Sequence, residues 1–212
     1  MAVVTQINGD AIITGNLHLN GDITPARTRT DILAVTELAV FTVPMSIWRE
    51  HDDYATVLDG TPVADNHLGC VGGTFGTNVP SLQTDDFGEN GGVSHYYARG
   101  EIALPWNYVS ANTVTIRVHA GMLTAVGDQS CTVDLQVYES DKDSTSTGDI
   151  CATEEAQNMN SLVFADFDFS ITATNLVAGD LLDVLIDVAA DDDGTAVCTG
   201  CIGAVQLLCD VK

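Results

Sequence analysis

Basic residues are scarce in this 212-residue chain. Seven Lys and Arg face thirty Asp and Glu, giving a formal net charge of −23 and a sequence pI near 4.1. A polyanion of this kind repels nucleic acid and anionic membranes at every encounter, which argues against both as partners. Long apolar runs are lacking too, and none approaches the ~18 residues of a membrane span. The opening Met-Ala-Val-Val-Thr-Gln-Ile-Asn has no charged segment leading into an apolar one, so no secretory signal is read there. The expectation is folding in a cytosol, with the six cysteines reduced. Charged residues total only 17%, so the acidity reads as a solvated outer surface.

Catalytic signatures are missing as well. There is no Gly-x-Ser-x-Gly elbow, no glycine-rich phosphate loop and no His-Glu-x-x-His. The histidines, His18, His51, His67, His95 and His119, include no His-x-His pair of the kind that would place two ligands on one strand. Cys198-Thr-Gly-Cys201 is a lone C-x-x-C with Cys209 further on, and a second pair of zinc ligands is absent. Cys131, Cys201 and Cys209 fall on apolar strand faces, where a free thiol packs as a small hydrophobe. A bridge involving Cys198, Cys201 or Cys151 is the second reading, and a metal site the third. The stretch from Asp141 to Ala152 fails as a calcium loop. Ser146 stands where glycine is required and Ala152 where glutamate is required. Adjacent Glu154 and Glu155 point different ways and cannot flank one sugar. No cofactor is implied.

What the chain does have is apolar substance and period-two order. Hydrophobic residues make up 45%, enough for a packed core. Residues 1–30 form a distinct arm. Gly9-Asp10, Gly15-Asn16 and Gly21-Asp22 recur every six residues, with Ile12, Ile13, Leu17, Leu19 and Ile23 between or beside them. A turn dipeptide followed by a short strand is the pattern of small β-coils, which need three or more units or a partner to enclose a core. The arm is therefore expected to associate with copies from neighbouring chains. The alternative is a hairpin lying on its own domain. Pro25 ends the repeat, and Arg27 and Arg29 follow. This basic pair suits an acidic partner, or answers the chain's own carboxylates.

Residues 31–212 read as one all-β domain. Alternation is clean over 113–123, with Val114, Ile116, Val118, Ala120 and Met122 on one face and Arg117 and His119 on the other. It recurs over 95–104, 131–139, 164–173, 181–190 (with Asp183 and Asp187 outside) and 201–211, where Cys201, Val205, Leu207 and Cys209 share a face. The apolar segment 38–48 carries Pro44, which marks a strand end or an edge, 68–75 is a weaker candidate, and 151–160 reads as a short helix. About eight strands in roughly 175 residues, joined by some long loops, predict an antiparallel two-sheet sandwich of jelly-roll type. An immunoglobulin-like sandwich is the alternative. Trp48, Tyr54, Tyr96, Tyr97, Trp106 and Tyr108 could form a sugar platform, but packing between sheets or subunits is the first reading.

The arm, from Ile7-Asn-Gly-Asp to Thr24-Pro25, resembles N-terminal repeats of tailed-bacteriophage virion proteins. The body is similar to jelly-roll proteins encoded among phage head genes. The matching stretches run from Tyr97 to Val109, from Thr113 to Met122 and from Asn175 to Val184. The resemblance implies a capsid cement or decoration protein, a homotrimer bound to the major capsid protein on the virion exterior after assembly in a bacterial cytoplasm. Ile12, Ile13, Leu17, Leu19, Ile23, Arg27 and Arg29 would form the subunit or capsid interface. It implies no catalytic, cofactor or metal site. The second expectation is a head-fibre or tail-associated module that recognises host glycans, motivated by the aromatic residues and the long 76–94 loop.

Overall fold

The computed structural model describes residues 36–85, 92–124, 130–140, 145–192 and 198–212. Eleven strands occupy these residues: β1 (Glu37–Val43), β2 (Asn66–His67), β3 (Gly69–Val71), β4 (Ser81–Gln83), β5 (Gly92–Ala103), β6 (Val114–Met122), β7 (Ser130–Ser140), β8 (Gln157–Asn158), β9 (Ala165–Ser170), β10 (Leu181–Asp192) and β11 (Gly200–Val211). The only helical element among the described residues is a 3₁₀ turn at Met45–Ile47.

The strands form two sheets. One has the order β3-β4-β11-β6-β9, with β1 also paired to β11; the other has the order β2-β5-β10-β7-β8. Four antiparallel pairs define the topology: β4 with β11, β5 with β10, β6 with β9 and β7 with β8. The chain from β4 to β11 is thus one long antiparallel ribbon, folded at its middle and rolled so that successive pairs fall in alternate sheets. That is a jelly roll, as the alternation predicted.

The core lies between the sheets and is made by the inward sets already visible in the sequence. Val114, Ile116, Val118, Ala120 and Met122 of β6 face Cys131, Val133, Leu135 and Val137 of β7 and Leu182, Val184, Ile186 and Val188 of β10, all buried. Residues 151–160 are a turn followed by β8 rather than a helix. Cys151 and Met159, both fully buried, tie that segment into the core. Cys201 also departs from the expected face. The β11 register shifts between Ile202 and Ala204, so that Ile202 pairs with inward Ala120 while Cys201 pairs with Gly121 on the outer side. The extra residue of a bulge reverses which side chains point inward.

One local arrangement sets up the surface described next. After Pro44 the 3₁₀ turn carries Trp48 into the core, where it is fully buried against Gly100. A Cβ at position 100 would stand 2.8 Å from the Trp48 ring, so only glycine admits the indole there. The neighbouring residue, Arg49, then pairs with Arg99 of β5 through two backbone hydrogen bonds. Arg49 N–H donates to the Arg99 carbonyl at 2.8 Å, and Arg99 N–H donates to the Arg49 carbonyl at 3.1 Å. The 49–54 segment is thereby laid along the outer edge of β5.

Candidate functional site

The outward faces of β5, β10 and β7 carry polar and aromatic residues in cross-strand rows. Glu101, Asp183 and Tyr138 form one row, Arg99, Leu185 and Gln136 the next, and Tyr97, Asp187 and Asp134 the third. Two basic groups reach diagonally to carboxylates on β10. Arg99 Nε donates to Asp183 Oδ1 at 2.8 Å while Nη2 donates to Oδ2. His95 Nδ1 lies 3.0 Å from both oxygens of Asp187. The 49–54 segment adds Tyr54, whose ring lies 5.0 Å from the Arg99 guanidinium, and His51, whose ring centre is 4.5 Å from that of Tyr97. His95 stacks against the same tyrosine at 6.0 Å.

On this face lies a cleft of about 270 Å³ lined by His51, Arg99, Tyr138, Ser146, Asp183 and Leu185, with Tyr54 and Tyr97 behind Arg99 and His51. That volume is near the lower end of the ~300–1,000 Å³ typical of small-molecule sites. The chemistry of its walls is mixed: ring faces, one aliphatic side chain, and donors and acceptors held in fixed directions. Two of the five N–H donors of a guanidinium are committed to Asp183. The bidentate pair fixes the plane of the group.

Electrostatics in the cleft follow from partial burial among many carboxylates. Burial, with Glu101 and Asp183 nearby, pushes the Tyr54 phenol above its ordinary value. Burial likewise raises Tyr97, helped by Asp187 and Asp65. The Asp183 hydrogen bond raises Arg99 further, so this cation is permanent. Asp187 is raised chiefly because it is buried, with Asp134 directly opposite adding repulsion and His95 opposing the shift. Both tyrosines are neutral hydroxyl donors at physiological pH.

A larger groove of about 540 Å³ lies elsewhere, walled by Val71, Val79, Leu123, Phe164 and Cys201, with no charged side chain among its lining residues. Its polar side chains, Thr77, Asn78, Ser81 and Gln83, are all uncharged, and no aromatic ring other than Phe164 lines it. Among the described residues no cluster of three or more His, Cys, Asp or Glu side chains could hold a metal ion.

Of the six aromatic residues singled out in the sequence, Trp48, Tyr96 and Tyr108 are buried in the core, as the packing reading expected. Tyr54 and Tyr97 lie outside the cleft lining but touch two of its residues, Arg99 and His51, while Trp106 is exposed and also outside the lining. Nothing in the sequence marks Arg99, Tyr138 and Leu185 as a group. The one available signal was their outward phase on alternating strands. Ile12, Ile13, Leu17, Leu19, Ile23, Arg27 and Arg29 lie outside the described residues, as do Asp141 and Asp143 of the rejected calcium loop.

No family model and no curated protein matches the chain. Among solved structures it is similar to the CBM22-1 xylan-binding domain from Paenibacillus barcinonensis Xyn10C. That match has 11% identity and a TM-score of 0.43, over 84% of this chain and 99% of that one. It is also similar to the xylan-binding module CBM15, at 16% identity and a TM-score of 0.39, over 82% of this chain and 97% of that one. A third match is Xylanase10C from Cellvibrio japonicus in complex with xylopentaose, at 15% identity and a TM-score of 0.38, over 80% of this chain but 28% of that one. At these identities the likeness is one of strand layout, not of residues.

The expectation of a capsid cement or decoration protein is corrected here. The similarity found is to xylan-binding modules, not to virion proteins. The stretches that carried the virion resemblance are strands β5, β6 and the entry to β10 with their adjoining turns. Their motifs are the alternating faces any antiparallel sandwich needs, so they do not distinguish one sandwich family from another.

Proposed function

We propose that the β-sandwich is a carbohydrate-binding module, taking a short stretch of glycan in the cleft on β5, β10 and β7, without catalytic turnover. The observation that carries this is the Arg99–Asp183 pair set among Tyr54, Tyr97, Tyr138 and His51. A sugar presents two kinds of surface, C–H faces and hydroxyl rims. Ring faces cover the first, and fixed donors and acceptors, directly or through ordered water, satisfy the second. A site lined mainly by apolar groups would leave hydroxyls unpaired, and each such loss is costly.

The state of Asp183 supports binding without hydrolysis. A glycosidase needs one carboxylic acid free to protonate the leaving group and a second carboxylate across the bond. Asp183 instead commits both oxygens to Arg99.

The test is calorimetric titration of the full chain with xylohexaose first, because xylan-binding modules are among the similar structures, and then with cello-, manno- and malto-oligosaccharides. Binding of at least one, weakened tenfold or more by Tyr97→Ala and by Arg99→Gln, with no release of new reducing ends, is the expected result. No binding across the panel, or binding that both variants leave unchanged, overturns it.

A further inference from the structure

The rows that frame the cleft are rich in carboxylates. Glu101 lies directly opposite Asp183, and Asp187 directly opposite Asp134. The two pairs stand one row to either side of Leu185, about 7 Å along the strand. Side chains directly opposite have Cβ atoms about 4.5–5.5 Å apart, and like charges so placed destabilise a sheet. The cost is visible at Asp187, whose carboxyl is held above its ordinary value by burial first, with Asp134 adding to it. Cations answer only part of this charge. Arg99 is matched by Asp183, and His95 faces Asp187. Among the described residues neither Glu101 nor Asp134 has a basic side chain within ion-pair distance. The adjoining 49–54 segment adds Glu50, Asp52 and Asp53 against one further arginine, Arg49. Groups kept on a binding face at a cost to the fold mark what that face is for.

We propose that the cleft selects uncharged glycan and excludes glycan that carries uronic acids, the carboxylates of Glu101, Asp183, Asp187 and Asp134 making the distinction. The inference rests on the cleft being the glycan site. A hydroxyl and a carboxylate of a sugar meet this face in opposite ways. A hydroxyl donates to a carboxylate oxygen, and a hydrogen bond to an ionised acceptor is short and strong. A uronate is ionised at neutral pH and has no proton to donate. It would bring a further negative charge into a partly enclosed site, where salt screens charges less than on an open surface. The guanidinium that could receive it already directs its Nε and Nη2 donors to Asp183. A second anion would share a cation whose charge is taken. Specificity of this kind comes from repulsion built against the wrong ligand as much as from attraction to the right one.

The experiment is calorimetric titration of the full chain at neutral pH and low salt, about 0.02 M. Each neutral oligosaccharide that binds is compared with a uronate-bearing form of the same backbone: for xylohexaose, xylohexaose with one glucuronic acid branch, and for cellohexaose, its form oxidised at C6. The third probe is that acidic oligosaccharide with its carboxyl reduced to the alcohol, which keeps the bulk and removes the charge. The uronate form should bind about tenfold or more weakly than the reduced form. The gap should narrow at about 1 M salt, where the screening length is ~3 Å. Asp134→Asn and Glu101→Gln, which keep the size of the native side chain, should each narrow it about two- to threefold. Equal binding of the uronate and reduced forms overturns the proposal, and so does tighter binding of the uronate. A loss of affinity that the reduced form shares is one of bulk, and it overturns the proposal too, as does a gap that neither salt nor either variant changes. If no neutral oligosaccharide binds at all, the glycan reading of the cleft fails first and this inference falls with it.

Discussion

The Arg99 guanidinium lies 5.0 Å from the centre of the Tyr54 ring while its edge holds Asp183. The tyrosine thus supports one face of a cation whose direction the carboxylate already fixes. Removing the ring by Tyr54→Ala should loosen the guanidinium. A half-exposed cation–π contact contributes about 0.5–1 kcal/mol, so glycan affinity is expected to fall about two- to fivefold. Tyr54→Phe keeps the ring and should stay within twofold of wild type. Calorimetric titration of the two variants separates the ring's contribution from that of the hydroxyl.

The space over Gly100 is filled by Trp48 of the segment paired alongside β5. Gly100→Ala forces the indole away and is expected to destabilise the fold by about 1–3 kcal/mol, the usual cost of overpacking. Gly148→Ala meets nothing within 4 Å and should stay within about 0.5 kcal/mol of wild type. Urea unfolding of the pair provides the comparison. The Gly100 variant should also weaken glycan binding, because Trp48 sets the path of the 49–54 segment.

The thiols should be inert in the folded chain. Burial pushes Cys131 and Cys151 up to about 12 and Cys209 up to about 11. At pH 8 a thiol of pKa about 12 is ionised only about once in 10⁴ molecules, and the thiolate is the reactive form. Cys70, half-buried where the other five are buried, should be the first to react with iodoacetamide. All six are expected to react after denaturation, a difference that mass spectrometry of the alkylated chain reads directly.

Two carboxylates should respond to pH in opposite senses. Asp168 is lowered chiefly by the hydrogen bond from Arg117. Its contribution to stability is present above the unfolded-state value and is lost as pH falls through the lower folded value. In Arg117→Gln the Asp168 carboxyl should titrate at higher pH, which carboxyl carbon shifts in an NMR titration would show.

Asp187 is raised, mainly by burial. Its ionisation therefore opposes folding above the folded-state value, and the penalty fades as protonation sets in at lower pH. Asp187→Asn also removes the charge facing Asp134. It should raise the thermal midpoint at pH 7, by an amount that shrinks as pH falls through the carboxylate range. Scanning calorimetry at several pH values tests both the sign and the trend.

The sandwich was legible because most of its strands are long and wet on one side. Period-two alternation marks β6, β7 and β10 almost residue by residue, and even the outward placement of Asp183 and Asp187 follows from it. Strands of two or three residues, such as β4 and β8, contain too little alternation to register. The β11 bulge cannot be seen either, since Gly203 shifts the phase without disturbing the apolar pattern around Cys201. The cleft was hidden for a different reason. Arg99, Asp183 and Tyr138 lie far apart in sequence, and only the register of β5, β10 and β7 brings them into adjacent rows. A resemblance built on strand motifs led to the virion reading for the same reason: such motifs report a pleated sheet with one dry face, not what the wet face does.

The rolled ribbon also dictates the order in which the molecule can be completed. β10 is the middle strand of one sheet and β11 the middle strand of the other, yet both follow every other described strand in the chain. A nascent chain that has reached residue 180 holds the flanks of both sheets and the centre of neither. Closing each gap requires joining segments distant in sequence, the kind of event that makes β-rich domains slow to fold. The cleft needs β10 seated between β5 and β7, so it is among the later features of the sandwich to form.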